Sequence, residues 1–151
     1  MKTWIHKYFS EDQLALIQKE ISKVEQTTSG EIRLSIRKKR SFKERKRELH
    51  DIALAEFHHL AMQNTKDKTG ILIFILFGER YFDIIADEGI HKKIPDNAWI
   101  EMEEKLKEEF RAGNYAGAVL HVVDKAGEVL QQEFPRQADD TNELSDEIKV
   151  R

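Results

Sequence analysis

Carboxylate side chains stand beside three segments of the sequence that have the pattern of β-strands. Glu31 opens an alternating segment, Asp67 precedes an apolar run, and Asp87 and Glu88 follow a third segment. These groups meet at one edge of a sheet if the first two strands are parallel and the third is antiparallel, and Asp96 begins the helix just beyond. Hard cations such as Ca²⁺ and Mg²⁺ prefer several oxygen ligands of this kind. The pattern predicts a divalent-cation site; the alternative is a turn residue, a helix cap and solvated acids.

A basic segment follows the first predicted strand. Between residues 37 and 47 eight side chains are basic and only Glu44 is acidic, whereas residues 48–151 carry a net charge of −10. The segment predicts a contact with an acidic protein or an anionic surface, and a solvated face is the alternative. Phe42 is its single aromatic residue, so a base-stacking platform for nucleic acid is not expected. The candidate anion-binding or partner-binding residues are Arg37, Lys38, Lys39, Arg40, Lys43, Arg45, Lys46 and Arg47.

Several kinds of chemistry are excluded by residue types. The chain has no cysteine, which rules out disulfides, thiolate zinc sites and cysteine nucleophiles. None of its six histidines is spaced four residues from another, so a helical histidine-metal pair is not expected. A glycine-rich phosphate loop is also missing, and no residue is assigned as catalytic.

The apolar segments are short. The beginning of the sequence has no apolar stretch of the kind that signal peptides carry, and the longest apolar run covers only residues 71–77. We therefore expect a cytoplasmic monomer without a transmembrane segment. The length of 151 residues fits one domain, predicted over residues 1–135, followed by a disordered charged tail over residues 136–151.

The elements that must position the acidic residues follow from periodicity and turn signals. The sequence predicts, in order, a helix over 11–27, a strand over 31–37, a helix from a capping box at Ser41 to about 63, strands over 71–77 and 81–86, a helix from Asp96 to Gly113, and a last helix stopped by Pro135. A right-handed crossover makes the first two strands parallel, and a hairpin makes the third antiparallel. The expected fold is a three-layer α/β/α sandwich around a small mixed β-sheet, Rossmann-like in its layering.

Four segments in this order resemble the landmarks of the TPM domain family, which is named for a thylakoid lumen protein, a photosystem II repair protein and a nematode modulator of acetylcholine receptors. They are residues 28–32, residues 67–72, residues 80–90, and Pro95-Asp96 together with residues 110–115. The resemblance covers residues 5–135 and implies an α/β/α sandwich. It also implies calcium binding, as in some members, or acid phosphatase activity, as in others. His91 stands where many members have an acid.

Two functions follow from the residues and this resemblance together. The first is a Ca²⁺-binding or Mg²⁺-binding interaction or regulatory domain. The second is a weak metal-dependent acid phosphatase that would use a cation at the same edge to hold phosphate and activate water. The missing nucleophile and phosphate loop favour the first.

Overall fold

The computed structural model describes residues 3–137 and 147–151. Its helices and strands are α1 (Glu11–Glu25), β1 (Glu31–Arg37), α2 (Leu49–His59), β2 (Gly70–Leu76), β3 (Tyr81–Ala86), α3 (Glu88–His91), α4 (Asp96–Arg111), α5 (Tyr115–Glu133) and β4 (Lys149–Val150). Element order and strand lengths follow the predicted pattern closely from α1 to α5.

The sheet has four strands in the order β3-β2-β1-β4. β1 and β2 are parallel, and β2 and β3 are antiparallel, as the sequence predicts. Every residue of β2 is buried, because this strand is central and both of its faces are covered. Its uninterrupted run of Ile, Leu and Phe therefore needs no polar side to face water.

Two hydrophobic clusters lie on opposite faces of the sheet. One cluster joins α1, α4 and α5 to the side chains of Ile32, Leu34, Ile71 and Ile73. The other joins α2 to the opposite side chains, including Leu72. Successive residues of a strand point to opposite faces, so one apolar run fills both clusters. The predicted three-layer α/β/α sandwich with a mixed sheet is confirmed.

The long predicted helix from Ser41 begins later in the structure. Glu44 does accept a hydrogen bond from the Ser41 backbone N–H, at 2.8 Å, but this closes only a 3-10 turn over Phe42–Glu44. The α-helix itself starts at Leu49. Residues 45–47 are all basic, and cations at a helix N-terminus oppose the helix dipole. This explains why α2 begins only after them.

Residues 147–151 differ from the disordered tail predicted over 136–151. β4 pairs in parallel with β1, and Arg151 extends the pairing through hydrogen bonds with the backbones of Ile36 and Lys38, at 2.9 and 3.0 Å. The Arg151 guanidinium also pairs with the carboxylate of Glu56, which is buried beneath the sheet. A buried acid needs a cation, and the sequence alone did not reveal that Arg151 supplies it. Residues 138–146 lie outside the described residues.

Within residues 3–137 and 147–151, no helix is both long enough and apolar enough to cross a membrane.

Candidate functional site

Glu31 and Asp87 flank Gly70 at one edge of the sheet. Glu31 is paired with Gly70 in the parallel ladder, and the Asp87 N–H donates to the Gly70 carbonyl at 2.9 Å. Their neighbours Ile32 and Ala86 belong to the cluster under α1 and α5. Because side chains alternate along a strand, Glu31 and Asp87 both face the α2 side of the sheet. Glu31 is only 4% exposed.

Asp87 caps the short helix α3 with one of its two carboxylate oxygens. Oδ1 accepts from the Glu88 N–H at 2.8 Å. Oδ2 is buried and has no hydrogen-bond partner among the described residues. Buried carboxylate oxygens nearly always have a partner, so this atom is the most direct sign of a missing donor or cation at the edge.

The loop before β2 packs directly on α3. A Cβ atom at Gly89 would lie 2.3 Å from the Asp67 carbonyl oxygen and 2.5 Å from that of Lys68. Two further hydrogen bonds fix the loop: the Lys68 ammonium donates to the Gln63 carbonyl at 2.7 Å, and the Thr69 N–H donates to the Thr65 hydroxyl at 3.0 Å. The two backbone carbonyls are thus held rigidly against the start of α3.

The structure brings four of the five predicted acids to this edge. Glu31, Asp67, Asp87 and Glu88 lie around the ends of β1, β2 and β3, with Asp67 and Glu88 exposed. Asp96 instead lines a separate groove, and it is the first residue of α4 rather than its cap, which is Pro95. Among the residues described, no three His, Asp or Glu side chains are grouped so that they could hold a metal. A cation here must therefore take part of its coordination from backbone oxygens or water.

The separate groove lies between the outer edge of β3, α2 and α4, and its volume is about 520 Å³. The carboxylate of Asp83 has several hydrogen-bond partners. The His50 Nδ1 atom lies 2.7 Å from Asp83 Oδ2, the Tyr81 hydroxyl donates to the same oxygen, and the Ile84 N–H donates to Oδ1 at 2.9 Å. Asp83 carries the full set of these contacts because it points to the α2 side of β3.

Burial and nearby acids shift the pKa values of two side chains, one in the lining of the groove and one beside it. Burial, reinforced by the Asp83 carboxylate, raises the pKa of the Tyr81 hydroxyl. Burial and Asp83 also raise the pKa of Glu103 on α4. Asp83, Asp96 and Glu103 line the groove, and no Lys or Arg among the described residues does. Such a surface repels free phosphate in the absence of a bound cation.

One local pattern in the sequence points to this groove. Asp83 is an acid within a strand whose neighbours are apolar, and Tyr81 stands two positions before it on the same face. The partner on α2, His50, is 33 residues away in the chain, and local spacing cannot reveal that contact.

Two arginines of the basic segment are used to build the loop. Arg37 is buried, and its guanidinium holds the Glu44 carboxylate through two hydrogen bonds of 2.9 and 2.5 Å. Arg40 pairs with Glu79 and donates to the backbone carbonyls of Glu44 and Arg47, at 3.1 and 2.6 Å. Neither guanidinium is presented to a partner in this arrangement.

The remaining cations of the segment face solvent. Phe42 lies among them in the sequence, and its side chain is 80% exposed. The Arg45 guanidinium lies 5.0 Å from the centre of the Phe42 ring, a cation–π contact. The exposed cations are Lys38, Lys39, Lys43, Arg45, Lys46 and Arg47. None of the four lysines forms an ion pair within the described part of the chain.

The Arg37–Glu44 pair predicts a pH dependence of stability. Hydrogen bonds from Arg37 lower the pKa of Glu44 to about 2 from its ordinary value of 4.5. A lowered folded-state pKa contributes stability above the unfolded-state value that is lost as the pH falls from about 4.5 towards 2. We expect Glu44→Gln to lower the free energy of unfolding by about 1–2 kcal/mol at neutral pH, since the pair is partly solvated.

Urea unfolding of the two proteins at neutral pH and at pH near 3 measures this difference. It should shrink as the pH falls below about 4.5, because the unfolded chain then takes up a proton at Glu44 while the folded protein still holds the ionised carboxylate. A difference that stays constant with pH would show that Glu44 acts through packing alone.

The chain is similar to known proteins over most of its length. A family model described as the TPM domain matches residues 5–129. The solution structure of the BA42 protein from the psychrophilic bacterium Bizionia argentinensis sp. nov. is 30% identical, with a TM-score of 0.84, and covers 95% of this chain and 96% of its own. No curated protein matches the sequence.

Two more distant solution structures share the fold. The N-terminal domain of a P. gingivalis protein has a TM-score of 0.67 and 18% identity, over 84% of this chain and 79% of its own. The N-terminal domain of the cg2496 protein from Corynebacterium glutamicum has a TM-score of 0.60 and 13% identity, over 81% and 74%. At these identities the likeness concerns the fold alone.

Proposed function

This chain belongs to the TPM domain family, and from that premise we propose that it is an interaction or regulatory domain that binds a divalent cation, Ca²⁺ or Mg²⁺, at the sheet edge beside Asp87. The observation that carries the proposal is the Asp87 Oδ2 atom, which is buried and has no partner among the described residues. A hard cation is the natural partner of such an oxygen, because it offsets the cost of burying a charged acceptor.

The candidate cation ligands at this edge are oxygen atoms. Asp87 supplies a carboxylate oxygen, the loop before β2 supplies the Asp67 and Lys68 carbonyls, and Glu31 flanks Gly70 on the same side of the sheet. Ca²⁺ accepts such mixtures of carboxylate, backbone carbonyl and water ligands, whereas Mg²⁺ demands a stricter octahedron. The flexible geometry of Ca²⁺ suits this mixed donor set better, so we expect Ca²⁺ to bind more tightly.

Substitution of Asp87 tests the proposal. Titration of the metal-stripped protein with Ca²⁺ should produce saturable amide NMR shifts centred on residues 67–70 and 87–89. Asp87→Asn should weaken binding at least tenfold, because it removes a charged ligand while Oδ1 still caps α3. Asp67→Asn should weaken binding less if Asp67 contributes mainly its backbone carbonyl.

Asp96→Asn is the matched control, because Asp96 is also an acid at the start of a helix but lies in the groove rather than at the edge. It should leave the Ca²⁺ titration unchanged. Absence of shifts at millimolar Ca²⁺ and Mg²⁺, or shifts centred on the groove in place of the edge, would refute the proposed site.

The alternative activity, a metal-dependent acid phosphatase, adds a second requirement at the same edge. Phosphate needs a cationic partner beside the metal, and Lys66 and Lys68 flank Asp67 in the loop. The same protein samples decide between the two functions. Hydrolysis of p-nitrophenyl phosphate that depends on Ca²⁺ or Mg²⁺ and disappears in Asp87→Asn selects the phosphatase, whereas cation binding without hydrolysis selects the binding domain.

A further inference from the structure

The exposed part of the basic segment forms one defined surface, which we call the basic tip: Phe42 with Lys38, Lys39, Lys43, Arg45, Lys46 and Arg47. We propose that the basic tip docks the domain onto an anionic lipid surface. This surface is distinct from the cation-binding edge and from the acidic groove.

The tip is rigid although it is a loop. The Arg37 guanidinium pairs with the Glu44 carboxylate. The Arg40 guanidinium pairs with Glu79 and donates to the backbone carbonyls of Glu44 and Arg47. The turn over Phe42–Glu44 is closed by the hydrogen bond between Ser41 and Glu44. Two of the eight basic residues thus fix the backbone, and the other six project from it at no further cost in loop ordering.

The exposed members of the tip make few stabilising contacts beyond the Arg45–Phe42 contact and a 3.4 Å hydrogen bond from Arg47 to the Asp51 carbonyl. Phe42 is 80% exposed, so its ring leaves most of its apolar surface in water. The cations at residues 45–47 precede the N-terminus of α2, where positive charge is unfavourable. An exposed ring and crowded like charges are both unfavourable for the free protein, and such features indicate a binding surface.

The shape and chemistry favour a lipid surface over a peptide or nucleic acid. Neither the groove at β3 nor the smaller cavity between α4 and α5 includes a residue of the tip, so neither supplies it with a pocket for a peptide. Phe42 is the single aromatic side chain of the tip, which gives no stacking platform for bases. An exposed ring that contacts Arg45 and has exposed lysines beside it in the chain does match a headgroup region, where the ring enters the apolar boundary and the cations meet anionic headgroups.

The uneven distribution of charge along the chain determines how the domain would be oriented at an anionic bilayer. The segment from residue 37 to residue 47 carries +7, and residues 48–151 carry −10. An anionic bilayer therefore attracts the tip and repels most of the rest of the domain, so that the domain approaches with the tip first.

Vesicle sedimentation of the full chain in EDTA tests the inference without any contribution from a bridging metal. We expect binding to phosphatidylcholine vesicles that contain about one third phosphatidylserine, no binding to pure phosphatidylcholine, and release at high salt. Each basic residue near the surface contributes about fivefold in affinity, so Lys43→Glu with Lys46→Glu should weaken binding at least 25-fold. Phe42→Ala should weaken it about fivefold.

A variant with the same change in net charge serves as the control. Lys92→Glu with Lys107→Glu changes two exposed lysines outside the tip and should leave vesicle binding within about twofold. Equal loss in this control, unchanged binding in the Lys43 and Lys46 variant, or equal binding to neutral vesicles would overturn the inference. Capture of polyglutamate or duplex DNA by the tip without vesicle binding would overturn it as well.

Discussion

Arg151→Ala should lower the free energy of unfolding by about 3 kcal/mol, since removing one partner of a buried ion pair leaves the other charge uncompensated. The charge left behind is that of Glu56, whose side chain has no exposed surface. The Ser35 hydroxyl donates to its other oxygen at 2.5 Å and cannot neutralise it. Arg151 is itself partly exposed, so the expected loss lies at the lower end of the range for buried pairs.

Urea unfolding of the wild type and of four variants measures this effect. Arg111→Ala removes an exposed arginine from the end of α4 and should change stability by less than about 0.5 kcal/mol. In a Glu56→Gln background the further change Arg151→Ala should cost much less, because no buried charge remains to be paired. A loss below about 1 kcal/mol in Arg151→Ala alone would show that solvent already screens Glu56.

Gly89→Ala should also destabilise the domain by about 3 kcal/mol, at the upper end of the range for overpacked sites. The new Cβ would lie 2.3 and 2.5 Å from the carbonyl oxygens of Asp67 and Lys68. Both are backbone atoms, so the collision cannot be relieved by a side-chain rotation. The loop before β2 would have to move away from α3, and the proposed cation site would lose its carbonyl donors.

Gly113→Ala is an instructive comparison. Gly113 has a φ of +79°, but a Cβ there would meet no atom within 4 Å. Its cost should be about 1 kcal/mol, which is the backbone penalty alone. Thermal unfolding ranks the two variants, and amide NMR locates the displaced loop. If Gly89→Ala were no more harmful than Gly113→Ala, the loop would be softer than the structure indicates.

Local patterns were sufficient to predict the layers and most of the sheet. The apolar run of β2 reports burial on both faces, which depends only on neighbouring residues. The alternation around Ile32 predicts a strand buried on one face, but every residue of β1 except Arg33 is buried in the structure. Parallel pairing of β1 and β2 then follows from the crossover through α2. The acids at the ends of the strands could likewise be assigned to a common edge of the sheet from the sequence alone.

Features that depend on distant contacts were missed. β4 is only two residues long, and its pairing with β1 is supported by the Arg151–Glu56 contact, for which the tail sequence carries no periodic signal. Asp83 and His50 meet across α2 and β3 in the same way. In the basic segment, composition revealed the charge but could not show that Arg37 and Arg40 are already committed to Glu44 and Glu79.

The pairing of β4 with β1 joins residues more than one hundred positions apart, such as Ser35 and Lys149. Contacts of such high sequence separation carry a large loop-closure entropy, and they add to the contact order that the packing of α1 on α5 and the bridge between Thr28 and Pro135 already raise. We expect β4 to dock after the rest of the sheet has condensed. Contacts that form after the folding transition state scarcely affect how fast a protein folds and mainly slow its unfolding. We therefore expect residues 147–151 to lengthen the lifetime of the native state more than they speed its formation.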